Sequence, residues 1–245
     1  MQTNTTIPGT IYRPASSSDP RAVSYLIGQV WSQFFSFSVS PNDLEHYLTH
    51  TLAISTITEE IKSERYRFIL AIIPSSLSSL SSFPDLSANS KPSIVSTTTI
   101  QPAQPPILAS FDDDTTSSLR RKDDVSSVEK LKVVDGILVG VAQLVLNAST
   151  PIRIESGEEK MSNMVELQRL YVHHTQHGSG LSQILFEKCE EVVRREGGNG
   201  MWLGVWEDNI RGKRFYEKMG MDQVGEKKFV LGNAMRRDLV MMKRI

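Results

Sequence analysis

Val165-Glu166-Leu167-Gln168-Arg169-Leu170-Tyr171-Val172-His173-His174-Thr175-Gln176-His177-Gly178-Ser179-Gly180-Leu181-Ser182-Gln183-Ile184-Leu185 decides the fold, because two hydrophobic periods meet inside it. Val165, Leu167, Leu170 and Val172 are β-type apolar residues whose alternation slips between Leu167 and Leu170, as a strand with a bulge requires. From Leu181 the spacing becomes helical through Ile184, Leu185, Cys189 and Val192. Between the two lie His177, Gly178, Ser179, Gly180 and Ser182. A strand that feeds a glycine-rich turn opening a helix brings unpaired N–H groups together at the positive end of the helix dipole, where phosphate is favoured. Glycines occur in tight turns everywhere, so this turn by itself leaves phosphate binding and a plain reversal equally open.

Beyond the helix, Gly197-Gly198-Asn199-Gly200 supplies a stop and Met201 to Trp206 the next strand. Then come Asn209, a short helix, Phe215-Tyr216, Lys218 and Gly220, followed by a hairpin of Met221 to Glu226 and Asp238 to Met242. On the other side, Ile137 to Leu146 reads as the strand before the central one, joined to it by the polar loop Asn147 to Asn163. Tyr66 to Ile73, stopped by Pro74, is a further strand. Thr10 to Ala15 predicts a short strand that hands over at Ser16 to Asp19 to a capped helix carrying Val23, Leu26, Ile27, Val30 and Trp31. Ser40-Pro41-Asn42-Asp43 starts a second helix with Leu44, Tyr47, Leu48 and Leu52 on one face, and Ile54 to Ile61 a third.

From Pro74 to about Ser118 serine, threonine and proline dominate and hydrophobic periodicity disappears. The span 74–130 is therefore expected to be a disordered insertion joining two neighbouring antiparallel strands of a single domain, 10–245, with residues 1–9 a flexible N-terminus. Asp112-Asp113-Asp114 within it reads as a solvated charge run, not a metal set.

With 27 basic and 28 acidic residues the formal charge is −1, which gives no general attraction to nucleic acid or to an anionic membrane. The single cysteine, Cys189, excludes an intramolecular disulfide and falls on the apolar helix face, an inert packing position in a reducing compartment. The longest apolar run, Phe68 to Ile73, is too short for a bilayer, and no signal-peptide core or Arg-rich amphipathic leader develops. A cytoplasmic protein, with the nucleus also open, is the expectation.

The turn and the Asn209–Gly220 segment together resemble the GNAT superfamily of acyl-CoA-dependent N-acyltransferases. Its central motif reads Arg or Gln, two residues, Gly, one residue, then Gly or Ala. His177, Gly178, Ser179, Gly180, Leu181 and Ser182 occupy those places, with His177 standing for Arg or Gln and Ser182 for the last Gly or Ala. The likeness covers residues 10–73 and 133–245. It implies an α/β (α+β) fold: a mixed, mostly antiparallel twisted sheet with helices on both faces, splayed beside the central strand to admit a pantetheine arm. It also implies acetyl-CoA as co-substrate and direct attack of a primary amine on the thioester.

By the same resemblance, the coenzyme pyrophosphate lies over the amides of Gly178, Ser179, Gly180, Leu181 and Ser182, beside His177. The pantetheine runs along Leu170, Tyr171 and Val172, with the Leu170 N–H facing the thioester carbonyl. Asn209 bonds the arm, and helix N-capping is its compatible second role. Glu166 takes the place of the general base, against the alternative of a carboxylate on a solvated strand face. Tyr216 takes the place of the acid that protonates the leaving thiolate, against packing on Phe215. Arg211, Lys213 and Arg214 either approach the nucleotide phosphates or are solvated. No metal is expected: His173, His174 and His177 straddle a strand end and a turn, and His46 and His50 lack an acidic partner in a metalloprotease pattern.

For the acceptor, Asn42 to Leu48, Val224 to Gly232 and Arg237 to Met241 resemble bacterial GNAT enzymes that acetylate polyamines, although Met235, Arg236 and Arg237 are not acidic residues suited to a polycation. A peptide or protein amine is the second acceptor class, and a non-catalytic acyl-CoA sensor is the reading of another kind. A monomer or homodimer without nucleic-acid or membrane partners completes the expectation.

Overall fold

The computed structural model of the chain describes residues 9–78, 126–149, 163–231 and 234–245. In chain order the elements are β1 (Ile11–Pro14), α1 (Pro20–Phe34), a 3-10 turn (Ser36–Ser38), α2 (Pro41–His46), a π-helical turn (Tyr47–Thr51), α3 (Ile54–Lys62), β2 (Tyr66–Pro74) and the helical turn α4 (Ser75–Ser78). After the undescribed stretch come α5 (Ser126–Lys130), β3 (Lys132–Val133), β4 (Gly136–Val145), β5 (Met164–Val172), a 3-10 turn (His174–Gln176), α6 (Leu181–Arg195), β6 (Gly200–Trp206), α7 (Ile210–Lys218), β7 (Asp222–Leu231) and β8 (Ala234–Arg244). The sheet order is β1-β2-β4-β5-β6-β8-β7, with β3 added beside β4. Every pairing is antiparallel except β5 with β6.

Period-2 alternation explains the two layers. Ile69, Ala71 and Ile73 of β2 and Val139 and Ala142 of β4 pack with Leu181, Leu185, Phe186 and Cys189 of α6. The intervening Leu70, Ile72, Leu138 and Val141 pack with Val23, Leu26, Ile27, Val30 and Trp31 of α1. Both faces of the central strands are thus dry, which accounts for their unbroken apolar runs. Gly140 lies on the α6 face, where an added Cβ would come within 2.9 Å of Leu185 and 3.4 Å of Leu181, so its bare backbone sets how closely the helix approaches.

β2 and β4 are antiparallel neighbours, as the insertion reading requires. Most of the 74–130 span, and residues 1–8, lie outside the described residues, while the ends of that span, Ser75–Ser78 and Ser126–Lys130, are helical turns and not irregular chain. Another departure concerns Asp19. It precedes α1 but makes no cap hydrogen bond; its carboxylate instead accepts from Arg13 at 2.8 and 3.0 Å and from Ser16 N–H at 2.7 Å, pinning β1 to the helix start. Ser40 does cap α2, accepting from Asp43 N–H at 3.1 Å. The hairpin strands run longer than their sequence pattern indicates, and β8 lies between β6 and β7.

Candidate active site

The bulge read from Leu167 and Leu170 is present. Opposite Gln143 and Leu144 of β4 stand Arg169 and Leu167, so Gln168 is the extra residue and points to solvent. The bulge re-aims the rest of β5. Leu170 and Val172 pack toward α6, whereas Tyr171 packs toward α1.

The parallel β5–β6 ladder is short: Met164, Val165 and Glu166 pair with Gly200, Met201 and Trp202, and neither strand has a further described rung with the other. From Glu166 to Val172 β5 advances about 20 Å beside an opening that closes at the Glu166–Trp202 rung. The turn at His177–Ser182 stands at its wide end. There Gly178 and Gly180 have φ of 84° and 83°, the left-handed region that glycine enters without penalty. The Ser179 N–H is bonded to Gln176 O and the Leu181 N–H to Ser179 Oγ, while the N–H groups of Gly178, Gly180 and Ser182 have no acceptor among the described residues. A Cβ at Gly178 would meet nothing within 4 Å, so the turn is open on that side. The arrangement suits an anion at the N-terminus of α6.

His177 does not simply face this turn. Its Nε2 lies 3.2 Å from Val172 O and its Nδ1 3.3 Å from Arg211 Nη1, the pattern of a neutral ring donating from Nε2 and accepting at Nδ1. Burial first, and Arg211 second, hold its pKa below the usual value. The side chain ties the end of β5 to α7, and Phe34 of α1 packs on it with ring centroids 5.3 Å apart. His173 is buried and pushed down to about 4 by burial, with the neighbouring His174 and His177 acting in the same direction. Among the described residues no three His, Cys, Asp or Glu side chains are grouped to hold a metal ion, and no helix is long and apolar enough to cross a membrane.

Asn209 caps α7, its Oδ1 accepting from Gly212 N–H at 2.9 Å. A Cβ at residue 212 would lie 2.5 Å from Asn209 Nδ2, so Gly212 leaves the room that this cap needs. Tyr216, half-buried on the same helix, packs on Phe215 and Phe186 at centroid distances of 5.1 and 6.3 Å. Burial, then the Cys189 thiol, raises its phenol above the ordinary value and keeps it protonated. Tyr216 is therefore a packed ring whose phenol holds its proton at neutral pH.

Glu166 faces the α1 side of the sheet, 3.8 Å from Lys227 Nζ of β7. Burial raises its pKa, and the charges of Lys227 and Arg65 pull in the opposite direction. It is neither a freely solvated carboxylate nor a fully buried one. Lys227 also stands 5.0 Å over the Trp202 ring. The Trp202 indole N–H is buried with no acceptor among the described residues.

Sequence reading missed the polar group beside these residues. Arg169 donates to Glu60 at 2.6 Å and to Gln143 at 2.5 Å, and Gln143 donates to Glu60 at 3.2 Å. Burial opposes the Arg169 charge, but the Glu60 carboxylate keeps its pKa above the ordinary range. Tyr47 and Tyr171 adjoin the group, and burial raises both phenols. Gln143 inside the apolar run Ile137–Leu146 was the available signal, since a polar residue buried in a central strand needs partners. Phe37, 77% exposed, reaches from the α1–α2 connection to Trp206 at the end of β6, with ring centroids 5.8 Å apart. Phe34 and Phe37 thus bracket the opening between β5 and β6.

Against this geometry, residues 97–221 match the model of the acetyltransferase (GNAT) family. An uncharacterized N-acetyltransferase of Mycobacterium tuberculosis is 31% identical over 144 residues, which are 58% of this chain and 84% of that protein. One from Lactobacillus delbrueckii subsp. lactis is 33% identical over 112 residues, 46% of this chain, so the chain spans 61% of that relative's length. Among solved structures, PaiA N-acetyltransferase from Thermoplasma acidophilum with coenzyme A has a TM-score of 0.54 at 14% identity, covering 97% of this chain and 99% of that one. Arabidopsis thaliana NAA60 with a bisubstrate analogue has a TM-score of 0.53 at 13% identity, covering 96% and 99%. At such identities the structures speak for the fold.

Proposed function

This chain belongs to the acetyltransferase (GNAT) family, and from that premise we propose that it transfers an acetyl group from acetyl-CoA to a primary amine, the amine nitrogen attacking the thioester directly. The observation that carries the reading is the β5–β6 opening, closed at Glu166–Trp202 and bordered at its wide end by the free amides of Gly178, Gly180 and Ser182. An arm joined to a pyrophosphate is the shape that such a cleft and turn accept together. The likeness to PaiA with coenzyme A supports the same co-substrate.

In this reading the turn holds the pyrophosphate, with Arg211 close by through His177. Leu170, Tyr171 and Val172 line the arm, the Leu170 N–H polarises the thioester carbonyl, and Asn209 keeps the start of α7 beside it. Glu166 accepts the proton of the incoming ammonium; its raised pKa places it nearer neutrality than an ordinary carboxylate, which suits a base that must also release the proton. Tyr216, kept protonated, supplies a proton to the departing thiolate.

The acceptor is an amine of a small molecule or a peptide. Lys227 and Arg65 already set positive charge around Glu166, and exposed Phe37 brackets the opening. These features favour a monoamine with apolar surface, small molecule or peptide N-terminus, over a polyamine. The test is release of coenzyme thiol from acetyl-CoA on addition of a monoamine, a polyamine and short peptides. Turnover with any of them upholds the reading, and its order among them ranks the acceptors. Tight acetyl-CoA binding without transfer to any amine would replace the enzyme by a sensor.

A further inference from the structure

Lys227 belongs to β7, which β6 and β8 separate from β5 in the sheet, yet its ammonium reaches Glu166. The crossing depends on Gly204 of β6. A Cβ there would lie 2.5 Å from Lys227 Cε, 2.9 Å from its Nζ and 3.1 Å from Asp238 Oδ2, so the missing side chain is the groove in which the lysine stem lies. The stem carries Nζ over the Trp202 ring, on the last rung of the β5–β6 ladder, where the opening ends. With Lys227 and Glu166 side chains 24% and 19% exposed, the pair is held against the protein and still reachable. The charged groups that face Glu166 are Lys227 and Arg65, and Asp238 adjoins the lysine. A primary amine therefore already stands beside the carboxylate to which the proposed function gives the acceptor's proton.

We propose that Lys227 is itself an acetyl acceptor, a self-acetylation site of this chain; the inference rests on the reading above. Lys227 Nζ gives a proton to the Glu166 carboxylate and, as the free amine, attacks the thioester carbonyl of acetyl-CoA. The N–C bond forms, the C–S bond breaks, the nitrogen loses its second proton, and the sulfur leaves as the thiol after taking one proton. The net products are acetyl-lysine, coenzyme A and one proton, without oxidant or other co-reactant. Glu166 gives this amine a proton acceptor 3.8 Å away, which an ammonium in open solvent lacks. Once acetylated, the side chain has no charge to pair with Glu166 and is bulkier at the end of the opening, so acceptor turnover slows as the modification accumulates.

The experiment incubates the full chain with acetyl-CoA and no added amine, and follows each lysine peptide by mass spectrometry. Lys62, with 59% of its side chain exposed and on α3, reports spontaneous acetylation. Lys227 is expected to outpace Lys62 by at least about tenfold, with a rate that saturates in acetyl-CoA, and Glu166→Gln is expected to slow Lys227 alone by about tenfold or more. Heat-unfolded wild-type protein, a control that needs no folded variant, is expected to bring Lys227 down to the Lys62 rate. Equal rates at the two lysines, in a preparation that releases thiol with an added amine, would overturn the inference and leave the acetyltransferase reading standing. Failure of calorimetric acetyl-CoA binding and of thiol release together would overturn that reading, and the inference with it.

Discussion

Gly140→Ala tests how the sheet sets the turn proposed to hold the coenzyme. Gly140 lies opposite Ala71 and Val172, under the first two turns of α6. The new methyl would stand 2.9 Å from Leu185 Cδ1, 3.3 Å from Ala71 Cβ and 3.4 Å from Leu181 Cδ2. Carbon atoms rest at about 3.5–4.0 Å, so Leu185, and the helix with it, must retreat by about 0.6–1 Å. Overpacking of this kind costs about 1–3 kcal/mol, and the lower chain entropy of alanine in the unfolded state offsets about 0.4–1 of it, leaving a net loss of up to about 2.6 kcal/mol. Leu181 is the first residue of α6. A retreat therefore also displaces the neighbouring amides of Gly180 and Ser182, and loss of about 1 kcal/mol of hydrogen bonding weakens coenzyme A binding about fivefold. Urea unfolding followed by tryptophan fluorescence reads the first effect and calorimetric titration with coenzyme A the second. Gly197→Ala, at the far end of α6 with φ 72° and nothing within 4 Å of its Cβ, is the control: it loses stability through backbone strain and keeps its affinity. Gly140→Ala with unchanged affinity would refute the link between sheet packing and the turn, whatever happened to the unfolding midpoint.

Gly180→Val places a β-branched residue at φ 83° in the turn, and coenzyme affinity should fall at least tenfold by titration if the backbone there receives the pyrophosphate. His173 stays neutral in the fold down to about 4, whereas the unfolded chain protonates it near 6.5; the stability that this neutral ring contributes is full above pH 6.5 and is lost as pH falls toward 4, by roughly 3 kcal/mol at most. Urea midpoints at pH 7 and pH 4.5 should differ by less in His173→Gln than in the wild type. Glu60→Ala leaves Arg169 charged, 7% exposed and short of its carboxylate, and should destabilise by about 3–5 kcal/mol, while the Glu60→Leu/Arg169→Met pair loses much less; equal losses in the same unfolding assay would show that the ion pair is not the cause.

The strand, turn and helix from Val165 to Leu185 were legible because each period is local: the slip between Leu167 and Leu170 is the bulge at Gln168, and the glycines take the left-handed conformation that the turn needs. Asn209 was legible for the same reason, its cap partner being only three residues away. What remained hidden spans long stretches of chain. Glu60 and Arg169 are separated by 109 positions, and no local pattern joins them. Lys227 reads as one charge in an ordinary hairpin until Gly204 and the placement of β8 between β6 and β7 let its side chain reach Glu166. Asp19 looks like a helix cap in the sequence, and Arg13 takes its carboxylate instead, because a charge-assisted pair outweighs a cap when both are in reach.

The central claim, that amine acetylation takes place in the β5–β6 opening with Tyr216 as the proton donor, is met most directly by Tyr216→Phe. This change keeps the ring against Phe215 and Phe186 and removes only the hydroxyl. Amine-dependent thiol release, measured beside acetyl-CoA affinity, should fall by about one to several orders of magnitude with binding and thermal stability close to wild type. Undiminished thiol release in a variant that binds acetyl-CoA normally would contradict it, reducing Tyr216 to packing and leaving water as the proton source.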